Sequence, residues 1–129
     1  MARGFAYVAG FVYVVLGVVG FAVTGFDHWV EADTDTYIAW FRLNSTLNLV
    51  HAALGSVLLW AGTEPLEAVR PVVTTVGLVF LVLGVTAFPL TGNADWNVLA
   101  LNRADGILYL VTGVAALAAV RAARTAPAG

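Results

Sequence analysis

Two sets of residues, each with three polar side chains and a glycine, recur at helical spacing and are the residues of this sequence most suited to chemistry. The first set, at i, i+4, i+7 and i+11, is Asn44, Asn48, His51 and Gly55. The second set is Asn102, Asp105, Tyr109 and Gly113. Because these spacings place each set on one face of a helix, the amides, the imidazole, the carboxyl and the phenol could converge.

Two interpretations of this convergence stay open. Polar groups inside a membrane turn away from lipid and seek partners, so the side chains could lock the helices together through hydrogen bonds worth about 0.6–2 kcal/mol each. Alternatively they line a small pocket in which His51 or Asp105 binds a ligand or exchanges a proton. Asp105 has one further option, an ion pair with Arg103 or Arg42 at the membrane interface.

The sequence argues against cofactor and metal chemistry. Haem in a helical membrane bundle is usually held by two histidines, and only His51 lies inside a predicted helix, since His28 follows the first one. The chain has no cysteine, and no cluster of His and carboxylate residues has metal-ligand spacing. G-x-S-x-G, P-loop and dinucleotide-binding motifs are absent as well. We therefore expect no cofactor, no metal and no enzyme.

Composition indicates that lipid surrounds most of the chain. Of the 129 residues, 60% are hydrophobic and the mean hydropathy is +0.89, whereas an ordinary soluble domain is roughly 45–50% apolar. A chain this short cannot bury such an excess in a water-soluble core. The net charge of −2 gives no reason to expect nucleic-acid binding. The predicted environment is a lipid bilayer.

Four apolar stretches predict the elements that position the two polar sets. We expect an all-α membrane protein, a single transmembrane domain over 1–129, with four helices at about 5–25, 43–62, 71–90 and 99–121. A helix needs roughly 20 residues to cross the hydrocarbon core. The second and fourth reach this length only if their polar first turns lie within the membrane boundary. An acidic outer loop over 26–42 joins the first two helices.

Two prolines and the arginines refine this outline. Pro71 suits a helix start, and Pro89 should kink or end the third helix. Four arginines lie on the side of the termini, namely Arg3, Arg70, Arg121 and Arg124. Only Arg42 and Arg103 lie on the other side. The positive-inside rule then places both termini in the cytoplasm.

The two halves of the chain resemble each other. The stretch 16–25 can be laid on 83–92 with six of ten positions identical, which pairs Gly17 with Gly84. In the same way Asn44 falls on Asn102 and Gly55 on Gly113. An internal duplication would give two helical hairpins of the same orientation, a parallel repeat about an axis along the membrane normal. The four glycines are predicted helix-packing positions, and convergent composition at helix ends is the alternative explanation.

Two motifs carry a resemblance to a known family. The first is Asn44-x-x-x-Asn48-Leu-Val-His51-x-x-x-Gly55, and the second runs from Leu101-Asn102 through Asp105 and Tyr109 to Gly113. Together they resemble domain-of-unknown-function family 4383 over nearly the whole chain. The family's second motif has Asn and His where this chain has Gly106 and Tyr109, which argues against a role that needs paired histidines. The resemblance implies a small four-helix protein of a bacterial cell membrane and supplies no activity.

Three functions remain for such a protein. The first is a structural or accessory membrane protein that packs against itself, as a homo-oligomer, or against a larger complex. The second is a small carrier or channel, oligomeric because four short helices barely enclose a pore. The third is a lipid or quinone binder that uses the polar cluster of the outer leaflet. The lack of catalytic motifs favours the first.

Overall fold

The computed structural model describes residues 1–93 and 95–125, with side-chain surroundings as far as residue 122. Four helices run through it: α1 (Ala2–Thr24), α2 (Ser45–Thr63), α3 (Leu66–Leu90) and α4 (Arg103–Thr125). All four are long and apolar enough to cross a membrane. They pack as a helical bundle, so the predicted four-helix membrane fold is confirmed.

The loop between α1 and α2 contains the only two strands among the described residues. Strands β1 (Tyr37–Ile38) and β2 (Phe41–Arg42) pair antiparallel, with Tyr37 opposite Arg42. Ala39 begins the turn between them with a φ of 52°. The predicted loop over 26–42 is thus a folded cap that carries a two-residue hairpin.

The ends of the helices differ from the predicted bounds, and the third helix differs most. We predicted its start at Pro71, but α3 begins five residues earlier, with Pro65 at the N-cap and Pro71 inside the helix. Pro71 removes one backbone hydrogen bond near a helix end. Burial of Val69 and Val73, neither of which is exposed, favours the longer helix nonetheless. Pro89 lies one residue before the last helical residue, as the predicted stop requires.

The fourth helix starts later than predicted, at Arg103 rather than near 99. The segment before it is held by Asn97, whose amide bonds both the N–H and the carbonyl of Leu101 at 2.8 Å. Side-chain bonds of this kind compete with helical backbone bonds. They keep 97–101 outside the helix and leave Asn102 at its N-cap.

The helices form two tight hairpins, because α1 packs chiefly on α2 and α3 on α4. Glycines line both contacts. A Cβ built on Gly55 would lie 2.7 Å from the carbonyl oxygen of Gly10, and one on Gly113 would lie 2.8 Å from that of Gly77. Side chains at these positions would force the backbones apart, so the glycines set the distance between the paired helices.

The outer faces of the bundle are apolar. Within each 18-residue span only 33–39% of the residues are buried inside the protein, so most of each helix faces outward. Large hydrophobic side chains such as Val8, Phe11 and Val82 are more than 60% exposed. A soluble monomer rarely exposes so much contiguous apolar surface. The outward faces therefore suit lipid.

Candidate functional site

The predicted polar residues at the helix starts act as N-caps. The Asn44 Oδ1 accepts a hydrogen bond from the N–H of Leu47 at 2.8 Å, and the Asn102 Oδ1 accepts one from the N–H of Asp105 at 3.1 Å. Such bonds satisfy backbone donors that have no partner inside the helix. Both asparagines therefore start the helices on which they were predicted.

The amide nitrogens of the same two asparagines reach across the molecule. The Asn44 Nδ2 donates to the carbonyl of Val98 at 2.8 Å, and the Asn102 Nδ2 donates to the carbonyl of Trp40 at 2.9 Å. Each asparagine thus caps a helix of its own hairpin and holds the outer loop of the other hairpin. We call these two bonds the reciprocal asparagine bonds. A second bond, from Asn44 Nδ2 to the Glu31 carbonyl at 3.2 Å, ties the first loop to α2.

Asp105 completes the cap of α4. Its Oδ2 accepts from the N–H of Asn102 at 2.9 Å, which makes a reciprocal capping box with the bond described above. The ion pair with Arg42 or Arg103 is not observed in the described part of the chain. Arg42 instead lies 3.7 Å from Asp33 and donates to the carbonyl of Ala32 at 2.9 Å. The Asp105 carboxylate is thus bound by a backbone N–H at the helix start.

Asn48 bonds within its own hairpin and not across the bundle. Its side chain lies against Gly20 of α1, and its Nδ2 donates to Thr24 Oγ1 at 2.8 Å. The corresponding position on α4 is Gly106, where an added Cβ would meet Phe88 at 2.9 Å. Phe88 occupies the space that a side chain would need there. This packing accounts for the glycine in place of the asparagine that the family resemblance implies.

His51 and Tyr109 meet in the middle of the bundle. The His51 Nε2 and the Tyr109 Oη share a hydrogen bond of 2.5 Å, and both side chains are at most 2% exposed. Among the described residues of the two predicted polar faces, only His51 and Tyr109 form a side-chain hydrogen bond between α2 and α4. The bond spans the two hairpins, as the locking interpretation requires.

Three residues that the sequence did not single out surround this pair. Tyr13 of α1 stacks on Phe80 of α3 with ring centroids 4.4 Å apart, and Phe80 lies 5.6 Å from Tyr109. The Tyr13 Oη shares a bond of 2.8 Å with Thr112 Oγ1 of α4. We call Tyr13, His51, Phe80 and Tyr109 the four-ring core, one ring from each helix. The alignment of 16–25 with 83–92, extended three residues toward the N-terminus, would have paired Tyr13 with Phe80.

Three buried polar atoms of the predicted sets have no hydrogen-bond partner in the described part of the chain: Asn48 Oδ1, His51 Nδ1 and Asp105 Oδ1. Unpartnered buried polar atoms are uncommon in native proteins and call for an explanation. Chemically, they are two acceptor oxygens and a ring nitrogen that donates or accepts according to its tautomer. No group of three His, Cys, Asp or Glu in the described residues is placed to hold a metal ion.

The comparisons with known proteins give one match. A family model described as "Domain of unknown function (DUF4383)" matches residues 3–121. No curated protein and no solved structure matches the chain. The matched range covers both polar sets and all of the four candidate membrane spans except Ala2 and Ala122.

Proposed function

The chain belongs to the DUF4383 family, and we propose that it is a structural or accessory multi-pass membrane protein that acts by packing and not as an enzyme. The proposal rests on the roles of the polar residues, which cap helices and join the two hairpins. Asn44, Asn102 and Asp105 cap helices, and His51 bonds to Tyr109 across the hairpins. These groups stabilise a fixed arrangement of helices whose apolar faces stay open to neighbours.

Matched contacts in the two hairpins support an internal duplication as part of this proposal. The two reciprocal asparagine bonds correspond to each other in the repeat. Asn102 lies 58 positions after Asn44, and Val98 lies 58 positions after Trp40. The glycine contacts repeat too, Gly55 on Gly10 and Gly113 on Gly77. A duplicated hairpin would place its apolar faces around an approximate two-fold axis, an arrangement common in homo-oligomers and membrane repeats.

The test is the state of the full chain in its own membrane. We expect extraction into lipid nanodiscs, followed by native mass spectrometry, to give a homo-oligomer or a defined complex with another membrane protein. A variant with Val8→Ser and Phe11→Ser on the exposed face of α1 should release that assembly without unfolding the bundle. A wild-type chain that is strictly monomeric and carries no other chain would contradict the proposal.

The second candidate is a small oligomeric carrier or channel, and two of the unpartnered buried atoms favour it. His51 Nδ1 on α2 and Asp105 Oδ1 on α4 would bind a small polar species that passes between the hairpins. Flux measurements on the protein reconstituted in vesicles distinguish the two candidates. Proton or ion flux that is lost in both His51→Phe and Asp105→Leu, with the helical content unchanged, would favour transport over packing.

A further inference from the structure

Aromatic rings continue the outward face of α1 beyond the end of the helix. Gly25 ends α1 with a φ of 67°, a conformation that favours glycine, and Phe26 then stacks on Phe21 with ring centroids 4.8 Å apart. Trp29 lies 6.2 Å from the Phe21 ring. We call Phe21, Phe26 and Trp29 the aromatic lip. Phe26 is 68% exposed, and so is 60% of Val18, one turn before Phe21.

Hydrogen bonds hold the aromatic lip at the level at which α2 begins. The Ser45 N–H donates to the His28 carbonyl at 3.0 Å, and the Thr46 hydroxyl donates to the Trp29 carbonyl. Helix α2 has 19 residues. It is therefore about 28 Å long at 1.5 Å per residue, which is close to the roughly 30 Å thickness of the hydrocarbon core. Both ends of α2 then lie near the hydrocarbon boundaries, and the lip lies at one of them.

A further exposed ring is held at the start of α4. Trp40 is 79% exposed, and its carbonyl accepts the bond from the Asn102 amide at 2.9 Å. The candidate span of α4 has 20 residues, which corresponds to about 30 Å. Because α2 and α4 both begin at the loop end of the bundle, Trp40 lies near the same hydrocarbon boundary as the aromatic lip.

The charged residues of the folded cap occupy a different surface. A hollow of about 310 Å³ is lined by polar residues, namely His28, Glu31, Asp33, Thr34, Asp35 and Thr36. Carboxylates need water or a partner, whereas an exposed aromatic ring gains free energy when apolar neighbours cover it. Trp combines an apolar ring with an N–H donor, which suits the boundary between lipid and water. The cap therefore has an aromatic surface and an acidic one.

We propose that the folded cap lies in the headgroup layer of one leaflet, with the aromatic lip and Trp40 inserted among the lipids and the acidic hollow open to water. The partner of the aromatic surface is thus the lipid surface, because that surface continues the lipid-facing side of α1 at the level of the hydrocarbon boundary. The inference depends on the membrane-spanning fold and is independent of the accessory role proposed above.

Spin-label EPR on the full chain in lipid vesicles tests this placement. The chain has no cysteine, so each single-cysteine variant carries one nitroxide. Oxygen concentrates in lipid and a nickel chelate stays in water, and both relax the label on collision. We expect Phe26→Cys and Trp40→Cys to be relaxed more by oxygen, and severalfold less by nickel, than Glu31→Cys and Asp35→Cys. All four positions are exposed on the protein, so the comparison reports lipid against water.

A second measurement leaves the aromatic lip intact. With Trp40, Trp60 and Trp96 replaced by Phe, Trp29 is the remaining tryptophan of the four. We expect lipids brominated near the headgroup end of their acyl chains to quench its fluorescence, and aqueous iodide to leave it unquenched. Asp35→Trp in a chain without the four native tryptophans is the matched control, and it should show the reverse pattern.

The two measurements distinguish lipid from the other surroundings of the lip. Nickel relaxation at Phe26→Cys and Trp40→Cys as strong as at Asp35→Cys, with Trp29 quenched by iodide, would show that the cap projects into water. Labels that neither reagent relaxes, with Trp29 unquenched by either reagent, would show that a second copy or another protein covers the lip. Either result would overturn the proposal.

Discussion

At the scale of single residues, the two N-cap asparagines show why an amide occupies these positions. Ser, Thr or Asp would cap a helix about as well as Asn. An amide adds an N–H₂ donor, which Asn44 uses on Val98 and Asn102 uses on Trp40. One side chain thus starts a helix and holds the opposite loop. Because the oxygen caps the helix and the nitrogen bonds to the loop, substitutions can test the two roles separately.

Asn102→Asp keeps the capping oxygen, removes the donor to Trp40 and adds a negative charge. We expect a loss of about 1 kcal/mol of unfolding free energy, the net value of one hydrogen bond. Asn102→Ala loses the cap as well and should cost about 2 kcal/mol. Reversible unfolding in mixed SDS–detergent micelles measures both. Asn93→Asp, at an exposed position in the same loop, is the control for the added charge. An Asn102→Asp variant as stable as wild type would show that the bond to Trp40 contributes nothing.

The bond between His51 and Tyr109 is tested by a double-mutant cycle with His51→Phe and Tyr109→Phe. Both substitutions keep an aromatic ring in the four-ring core, so packing is largely preserved. The expected coupling is about 0.6–1.7 kcal/mol, the range for side-chain hydrogen bonds in membrane bundles. The same micelle unfolding assay gives the four free energies. Coupling close to zero would assign the stability of this core to ring packing alone.

At the scale of helices, glycine contacts decide how closely each hairpin packs. A Cβ on Gly55 would lie 2.5 Å from the backbone nitrogen of Val14, an atom that cannot move without the helix. We expect Gly55→Ala to cost about 1–3 kcal/mol, as overpacking does. Gly4→Ala is the control, because nothing lies within 4 Å of its added Cβ. It should be neutral or stabilising by up to about 1 kcal/mol through helix propensity. Equal effects at both positions would contradict close packing at Gly55.

The sequence predicted these elements well where their physics is local. Hydrophobic run length predicted four spans, although α4 starts at Arg103 rather than near 99. The start of α3 was wrong because burial of Val69 and Val73 outweighs the preference of Pro71 for a first turn. Only some of the predicted site residues come together, such as His51 and Tyr109. Helical spacing gives the face of a residue but not its partner, so the contact of Asn48 with Thr24 was not predictable from the pattern.

At the scale of the whole molecule, the two hairpins are held together at two levels. The four-ring core joins them in the middle, and the reciprocal asparagine bonds join them at the outer loops. At the opposite end of the bundle, Arg3 donates a hydrogen bond to the Glu64 carbonyl, and this bond lies within the first hairpin. The arrangement fixes the loop end and leaves the exposed apolar faces for lipid or protein neighbours.

The orientation of the molecule gives the last prediction. By the positive-inside rule, we expect the termini and the connection between α2 and α3 to lie in the cytoplasm, with the folded cap over 26–42 outside. Because the chain has no cysteine, single-cysteine variants report without background. A membrane-impermeant maleimide applied to intact cells should label Asp35→Cys in the cap and leave Thr63→Cys unlabelled until the cells are permeabilised. Both positions are exposed, so a difference in labelling reports the side of the membrane and not burial. The reverse pattern would show that the four arginines on the side of the termini do not set the topology.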